Sequence, residues 1–130
     1  DSNRTASKAQ LLATDFAELC APGTKLSACG YEALLDQQFD IVINGTSASL
    51  SADLPPLPDK LLAPEAYCYD MSYSAEPTVF MLWASQHGAL KTADGLGMLV
   101  GQAAESFKLW RGVFPETGPV IKLLRDKLVS

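Results

Sequence analysis

Apolar positions along the chain change their spacing several times, and each change marks an element. Leu11, Leu12, Phe16 and Leu19 recur at helical intervals in a segment that opens after Thr5. Ala6 to Leu19 therefore reads as a helix, with Thr5 as its N-cap and those four residues as its buried stripe. Pro22-Gly23 ends it. Lys25 to Cys29 reads as a short strand and Tyr31 to Leu35 as a single helical turn. In "FDIVINGTS", Ile41-Val42-Ile43 is a continuous β-branched run, the pattern of a strand buried on both faces of a parallel sheet.

A proline-punctuated connection follows, with one short turn expected around Asp59 to Leu62, and "AYCYDMSY" is the next strand. Pro77-Thr78 starts a helix that runs to about His87, where Gly88 stops it. Ala89 to Thr92 is a short extended piece. "DGLGMLVGQAAESFKLWRGV" is the longest helix, ending at Gly112, and Val120 to Leu128 is the last. Helices alternating with short apolar strands predict an α/β fold with a mainly parallel sheet. Ligands of such sheets gather at the carboxyl ends of the strands. That rule selects four places: Asn3 to Thr5, Asn44 to Ser47, Asp70 to Tyr73, and Asp94 to Gly97. All four are rich in polar residues or glycine.

Composition narrows the picture. With 130 residues, 48% of them hydrophobic, there is enough chain for one domain with a core. Ten Lys and Arg against fifteen Asp and Glu give a net charge of -5, which argues against a nucleic-acid partner. No apolar stretch has the length of a membrane span and no N-terminal signal pattern is present. Cys20, Cys29 and Cys68 are odd in number and far apart, so they indicate neither a zinc site nor a disulfide framework. A reducing, cytoplasmic setting is expected, with Cys68 a small buried hydrophobe.

Each strand end has a chemical reading and a plainer one. Arg4 and Lys8 lie one helical turn apart beside a helix N-terminus, where backbone N–H groups, the dipole and two cations suit a phosphate. The same residues also describe a capped surface helix with solvated cations. Gly45 would let a backbone approach a ligand, and the Thr46 and Ser47 hydroxyls would meet a ribose or phosphate, or simply close a turn. "YDMSY" alternates, so Met71 and Tyr73 share a side, a thioether to lie on a flat ring and a phenol to bond a hydroxylated substrate, or else two core residues. "DGLGMLVGQ" is G-x-G-x-x-x-G rather than the dinucleotide fingerprint. It does place Gly95, Met98 and Gln102 on one face of a helix start, for a ligand or for close helix packing. Asp94 is expected to cap that helix rather than to act as an acid or base, and His87 to complement a helix end. Asn3-Arg4-Thr5 and Asn44-Gly45-Thr46 match the glycosylation triplet, but neither is expected to be modified in a chain with no secretory sign.

In order along the chain, "NRTASK", "DIVINGTSASLSADLP", "CYDMSY" and "ADGLGMLVGQAAESFKLWRGV" resemble the shikimate dehydrogenase family over nearly the whole sequence. The resemblance implies a Rossmann-like α/β fold, a mainly parallel sheet flanked by helices, lacking its first βα unit and ending in closing helices. It implies a partial NADP-binding domain over about 1–95 and C-terminal helices over about 96–130. The family reduces 3-dehydroshikimate to shikimate with NADPH. On this resemblance Asn3, Arg4, Thr5 and Lys8 would hold the adenosine 2′-phosphate and ribose. Thr46, Ser47 and Met71 would line the cofactor, with Gly95 and Met98 near the nicotinamide, and Tyr73 and Gln102 would reach the substrate. Lys8 is often arginine in the family, and Gly45 stands where it usually has alanine. The family's glycine loop and its catalytic lysine and aspartate have no counterpart here, so no catalytic residue and no metal ligand is assigned. The chain alone is accordingly expected to be inactive and to bind NADP weakly or not at all, the parent enzyme being cytoplasmic and a monomer or homodimer. A quinate/shikimate paralogue using NAD or NADP, and a non-catalytic nucleotide-binding module, are the alternatives.

Overall fold

The computed structural model describes residues 1–46, 48 and 53–129. It forms two compact units, 1–38 with 56–61, and 39–55 with 62–129 among the described residues.

In the first unit, helix α1 spans Ala6–Phe16 and continues into a 3₁₀ turn, Ala17–Leu19. Thr5 occupies the N-cap position with extended backbone, but its hydroxyl makes no capping bond. The expected buried stripe is not buried: Leu11, Leu12, Phe16 and Leu19 are between 49% and 77% exposed, and Ala9 is the buried residue of α1. The reason lies in the segment meant to sit beneath it. Lys25 to Cys29 does not form a strand, and the described residues of this unit make a single parallel bridge, Ser2 to Cys29. Without a sheet face, an amphipathic helix has little apolar surface to cover. The buried side chains of the unit are Ala9, Leu34 and Leu61, with Leu34 on the predicted helical turn, a 3₁₀ turn at Tyr31–Leu34.

The second unit carries the sheet: β1 (Phe39–Asn44), β2 (Leu62–Asp70) and β3 (Lys91–Ala93), all parallel, in the order β1-β2-β3. Helix α2 (Val79–Gln86) connects β2 to β3 and packs against both. Thr78 caps it, accepting from the Met81 amide at 3.3 Å, and Gly88, at φ 88°, follows its end. Phe80, Trp83 and Ala84 of α2 are buried, as are Ala66 and Cys68 of β2. Trp83 stacks on Phe80 with ring centroids 5.8 Å apart, and on His87 at 4.7 Å, whose Nδ1 lies 2.7 Å from the Trp83 carbonyl. Burial raises the Cys68 thiol pKa above its ordinary value, so the thiol stays protonated and behaves as the small hydrophobe expected. Helix α3 (Leu96–Arg111) closes at Gly112 in the left-handed conformation, and α4 (Gly118–Val129) packs against α3.

Two expectations fail in the sheet. Ile41 and Ile43 are 65% and 63% exposed, so β1 is not buried on both faces. Register pairs Val42 with Cys68 and Asn44 with Asp70 on the covered face, while Ile41 and Ile43 stand opposite Tyr67 and Tyr69 on the other. A continuous β-branched run cannot by itself tell a strand covered twice from one covered once. Strand β2 also starts earlier than expected and stops at Asp70, leaving Met71 to Tyr73 in the following loop. The early start contains a bulge: between the pairs Phe39–Leu62 and Ile41–Tyr67, β2 has extra residues, and Glu65 takes a φ of 62°.

Candidate functional site

Three of the four selected strand ends lie in the second unit. Their geometry is set by Asp70, the last residue of β2 and fully buried at 0% exposure. One of its oxygens accepts from the Thr78 hydroxyl at 2.6 Å; the other accepts from the Ser72 amide at 3.0 Å and from the Asn44 side chain at 3.4 Å. Asn44, the last residue of β1, is itself buried, and its side-chain oxygen Oδ1 is held by Thr46. It accepts from the Thr46 amide at 3.1 Å and from the Thr46 hydroxyl at 2.8 Å. The Thr46 oxygen in turn accepts from Ala48 N at 3.3 Å, so this hydroxyl is engaged within its own turn. Buried polar groups need such partners, and here they tie the ends of two strands to the cap of α2. This network was not assigned from the sequence. Its signal is a polar residue ending each of two adjacent apolar strands.

On this frame stand the exposed side chains. Met71 and Tyr73 are 46% and 42% exposed, so neither belongs to the core. The Met71 amide donates to Asn44 O at 2.9 Å, which fixes the start of the loop. The Met71 thioether lies over Gly45, 3.1 Å from where a Cβ would stand. Gly95 is buried, and a Cβ there would overlap the Met71 carbonyl oxygen. Its amide donates to Ser72 O at 2.9 Å. The close approach that this glycine permits is thus made by the chain itself, the loop after β3 resting on the loop after β2. Met98 is exposed one turn into α3, and Gln102 is exposed with its amide nitrogen donating to Leu99 O at 3.0 Å. Ser47 lies outside the described residues. A cleft of about 160 Å³ is bounded by Tyr73, Leu96 and Leu99 on one side and Leu124, Lys127 and Leu128 of α4 on the other.

Asp94 does not stand ready as an acid or base. Its carboxylate accepts from the Leu96 amide at 3.3 Å, at the start of α3, and from Arg125 Nη2 at 2.7 Å.

The fourth place, Asn3 to Lys8, lies in the first unit. Asn3 turns its side-chain oxygen to the Thr5 amide at 2.9 Å and shapes the entry to α1. Arg4 and Lys8 are exposed, and among the described residues neither is in an ion pair. The first turn of α1 contains no acidic residue. Two cations beside the positive end of a helix dipole raise each other's electrostatic free energy, and an anion would lower it. Among the described residues no cluster of His, Cys, Asp and Glu is arranged to hold a metal, and no helix is long and apolar enough to cross a membrane.

Parallel strands, covering helices and polar side chains at the strands' carboxyl ends define a Rossmann-like α/β chain. Its similarities include shikimate dehydrogenases. Residues 95–125 match the family described as Shikimate 5'-dehydrogenase C-terminal domain. The NADP(+)-dependent shikimate dehydrogenase of Cellvibrio japonicus is 61% identical over 98% of this chain, which spans 45% of that enzyme. A solved shikimate dehydrogenase in complex with NADP+ is 33% identical, with a TM-score of 0.82 over 99% of this chain and 46% of that one. The Thermus thermophilus enzyme, solved with NADP(H) and shikimate, is 30% identical, with a TM-score of 0.77 over 98% of this chain and 45% of that one. The chain thus spans less than half the length of the relatives it matches, and it is similar to their C-terminal part.

Proposed function

We propose that this chain is the cofactor-side part of an NADPH-dependent shikimate dehydrogenase, acting on 3-dehydroshikimate and shikimate in the cytoplasm. The observation that carries the reading is the 61% identity to the Cellvibrio japonicus enzyme across 98% of the chain. Residues 1–95 are the nucleotide-binding part and 96–130 the closing helices.

In the first unit, Asn3, Arg4, Thr5 and Lys8 bind the adenosine 2′-phosphate and ribose. The fit rests on the two exposed cations at the start of α1, whose first turn holds no acidic residue. Arg4 offers a fork of donors and Lys8 a point charge. In the second unit, Thr46, Ser47 and Met71 line the cofactor, and Gly95 and Met98 border its nicotinamide. Tyr73 and Gln102 bond the substrate's polar groups. NADPH, when bound, supplies the hydride. The residues named here bind and orient, and none of them is assigned the proton transfer.

The test joins this chain to the N-terminal half of the Cellvibrio japonicus enzyme. The joined protein is expected to reduce 3-dehydroshikimate with NADPH, and the 130-residue chain alone is expected to be inactive. Running the reverse reaction with shikimate and with quinate, each with NADP and NAD, separates the shikimate enzyme from a quinate-using relative. A joined protein that folds yet reduces nothing overturns the reading, as does activity of the chain alone.

A further inference from the structure

The last helix bears two acid–base contacts of different character. Lys122 and Asp126 pair at 3.0 Å one turn apart, with both side chains more than 60% exposed, so this pair is solvated and adds little. Arg125 is placed otherwise. Its Nη2 donates to Asp94 Oδ1 at 2.7 Å and its Nη1 to the Ser74 carbonyl at 2.9 Å. The Asp94 side chain is only 10% exposed. One planar guanidinium therefore bridges the loop after β2 and the loop after β3, two segments 20 residues apart in sequence. Those loops already touch through Gly95 and Ser72, and the same Asp94 oxygen holds the first turn of α3. Arg125 fastens this assembly from outside, while its neighbours Leu124 and Leu128 wall the cleft beside Tyr73.

We propose that Arg125 is a positioning residue: by bonding Ser74 and Asp94 together it fixes the Tyr73 loop against the start of α3, and so sets substrate affinity. Its effect on substrate rests on the reading of Tyr73 as a substrate contact. Lysine cannot reproduce it, because a single ammonium lacks the forked geometry that serves two acceptors in one plane.

The test has two independent arms. Amide hydrogen exchange on the 130-residue chain reads the clamp itself. In Arg125→Ala the Gly95 and Leu96 amides are expected to exchange about tenfold faster or more, while the Leu82 amide of α2 is unchanged. In the joined enzyme, Arg125→Ala is expected to raise the KM for shikimate about tenfold and to leave the KM for NADP within about twofold. Arg125→Lys should recover only part of either loss, and Lys122→Ala should change neither. An unchanged exchange pattern overturns the clamp. Faster exchange with an unaltered shikimate KM overturns the positioning role, as does a fall in kcat alone. If the unmutated joined enzyme is inactive, the functional reading fails, and the exchange arm still decides the clamp.

Discussion

Two polar clusters in this chain look alike as strings of residues and differ in almost every physical respect. Asn44, Asp70 and Thr78 are buried, and their side chains bond one another or nearby backbone amides. Arg4 and Lys8 are exposed at the entry to α1, with no ion pair among the described residues. The first cluster is scaffold, in which a missing partner leaves a desolvated group unsatisfied. The second is displayed charge, which costs the fold little and is available to an anion. Polar residue type did not separate these roles; burial and bonding direction did.

If that contrast is right, the largest effect should come from emptying the buried cluster. Asp70→Ala removes the acceptor of the Thr78, Ser72 and Asn44 donors, and a loss on the order of 3 kcal/mol is expected in the urea unfolding free energy. A loss below about 1 kcal/mol would show that water repairs the site and that the cluster is not scaffold. Gly95→Ala comes next, at about 2 kcal/mol, because the clashing partner is the Met71 backbone rather than a side chain free to rotate. In the joined enzyme, Arg4→Ala should raise the KM for NADPH about tenfold and that for NADH less than about twofold, with the urea midpoint unmoved. Equal losses with both cofactors would sink the 2′-phosphate assignment. Gly45→Ala is expected to be the mildest, below about 0.5 kcal/mol, since the atom in its way is the rotatable Met71 thioether at 3.1 Å. A larger cost would mean that Met71 is held as firmly as the backbone beneath it.

Much of the second unit was legible in advance. The Thr78 cap, Gly88 and Gly112 announced helix ends by mechanisms that act within a few residues. Parallel pairing followed from helices alternating with short apolar runs. What failed was whatever depends on a second surface. The stripe of α1 and the outer face of β1 were correctly seen as apolar, yet periodicity does not say whether anything covers them. The glycine at 95 was read as allowing a close approach, by a ligand or by packing, and spacing did not name the neighbour found there, the Met71 backbone 24 positions away. Arg125 carried no local signal at all, because its two acceptors are 31 and 51 residues away. For Met71, Tyr73 and Gln102 spacing alone left more than one reading open, and the roles proposed for them come from the family resemblance.

The aromatic stack on α2 has an optical consequence. Both tryptophans belong to the second unit: Trp83 is 7% exposed, whereas Trp110 is 77% exposed already in the folded state. The change in indole emission on unfolding therefore reports mainly the release of Trp83 from Phe80 and His87. The first unit contains no tryptophan, so a melt followed by indole emission carries no probe within it. Apparent stability would then depend on wavelength. Indole emission would follow the strand-end scaffold, far-ultraviolet dichroism would sum helices from both units, and a gap between the two curves would show the units melting apart.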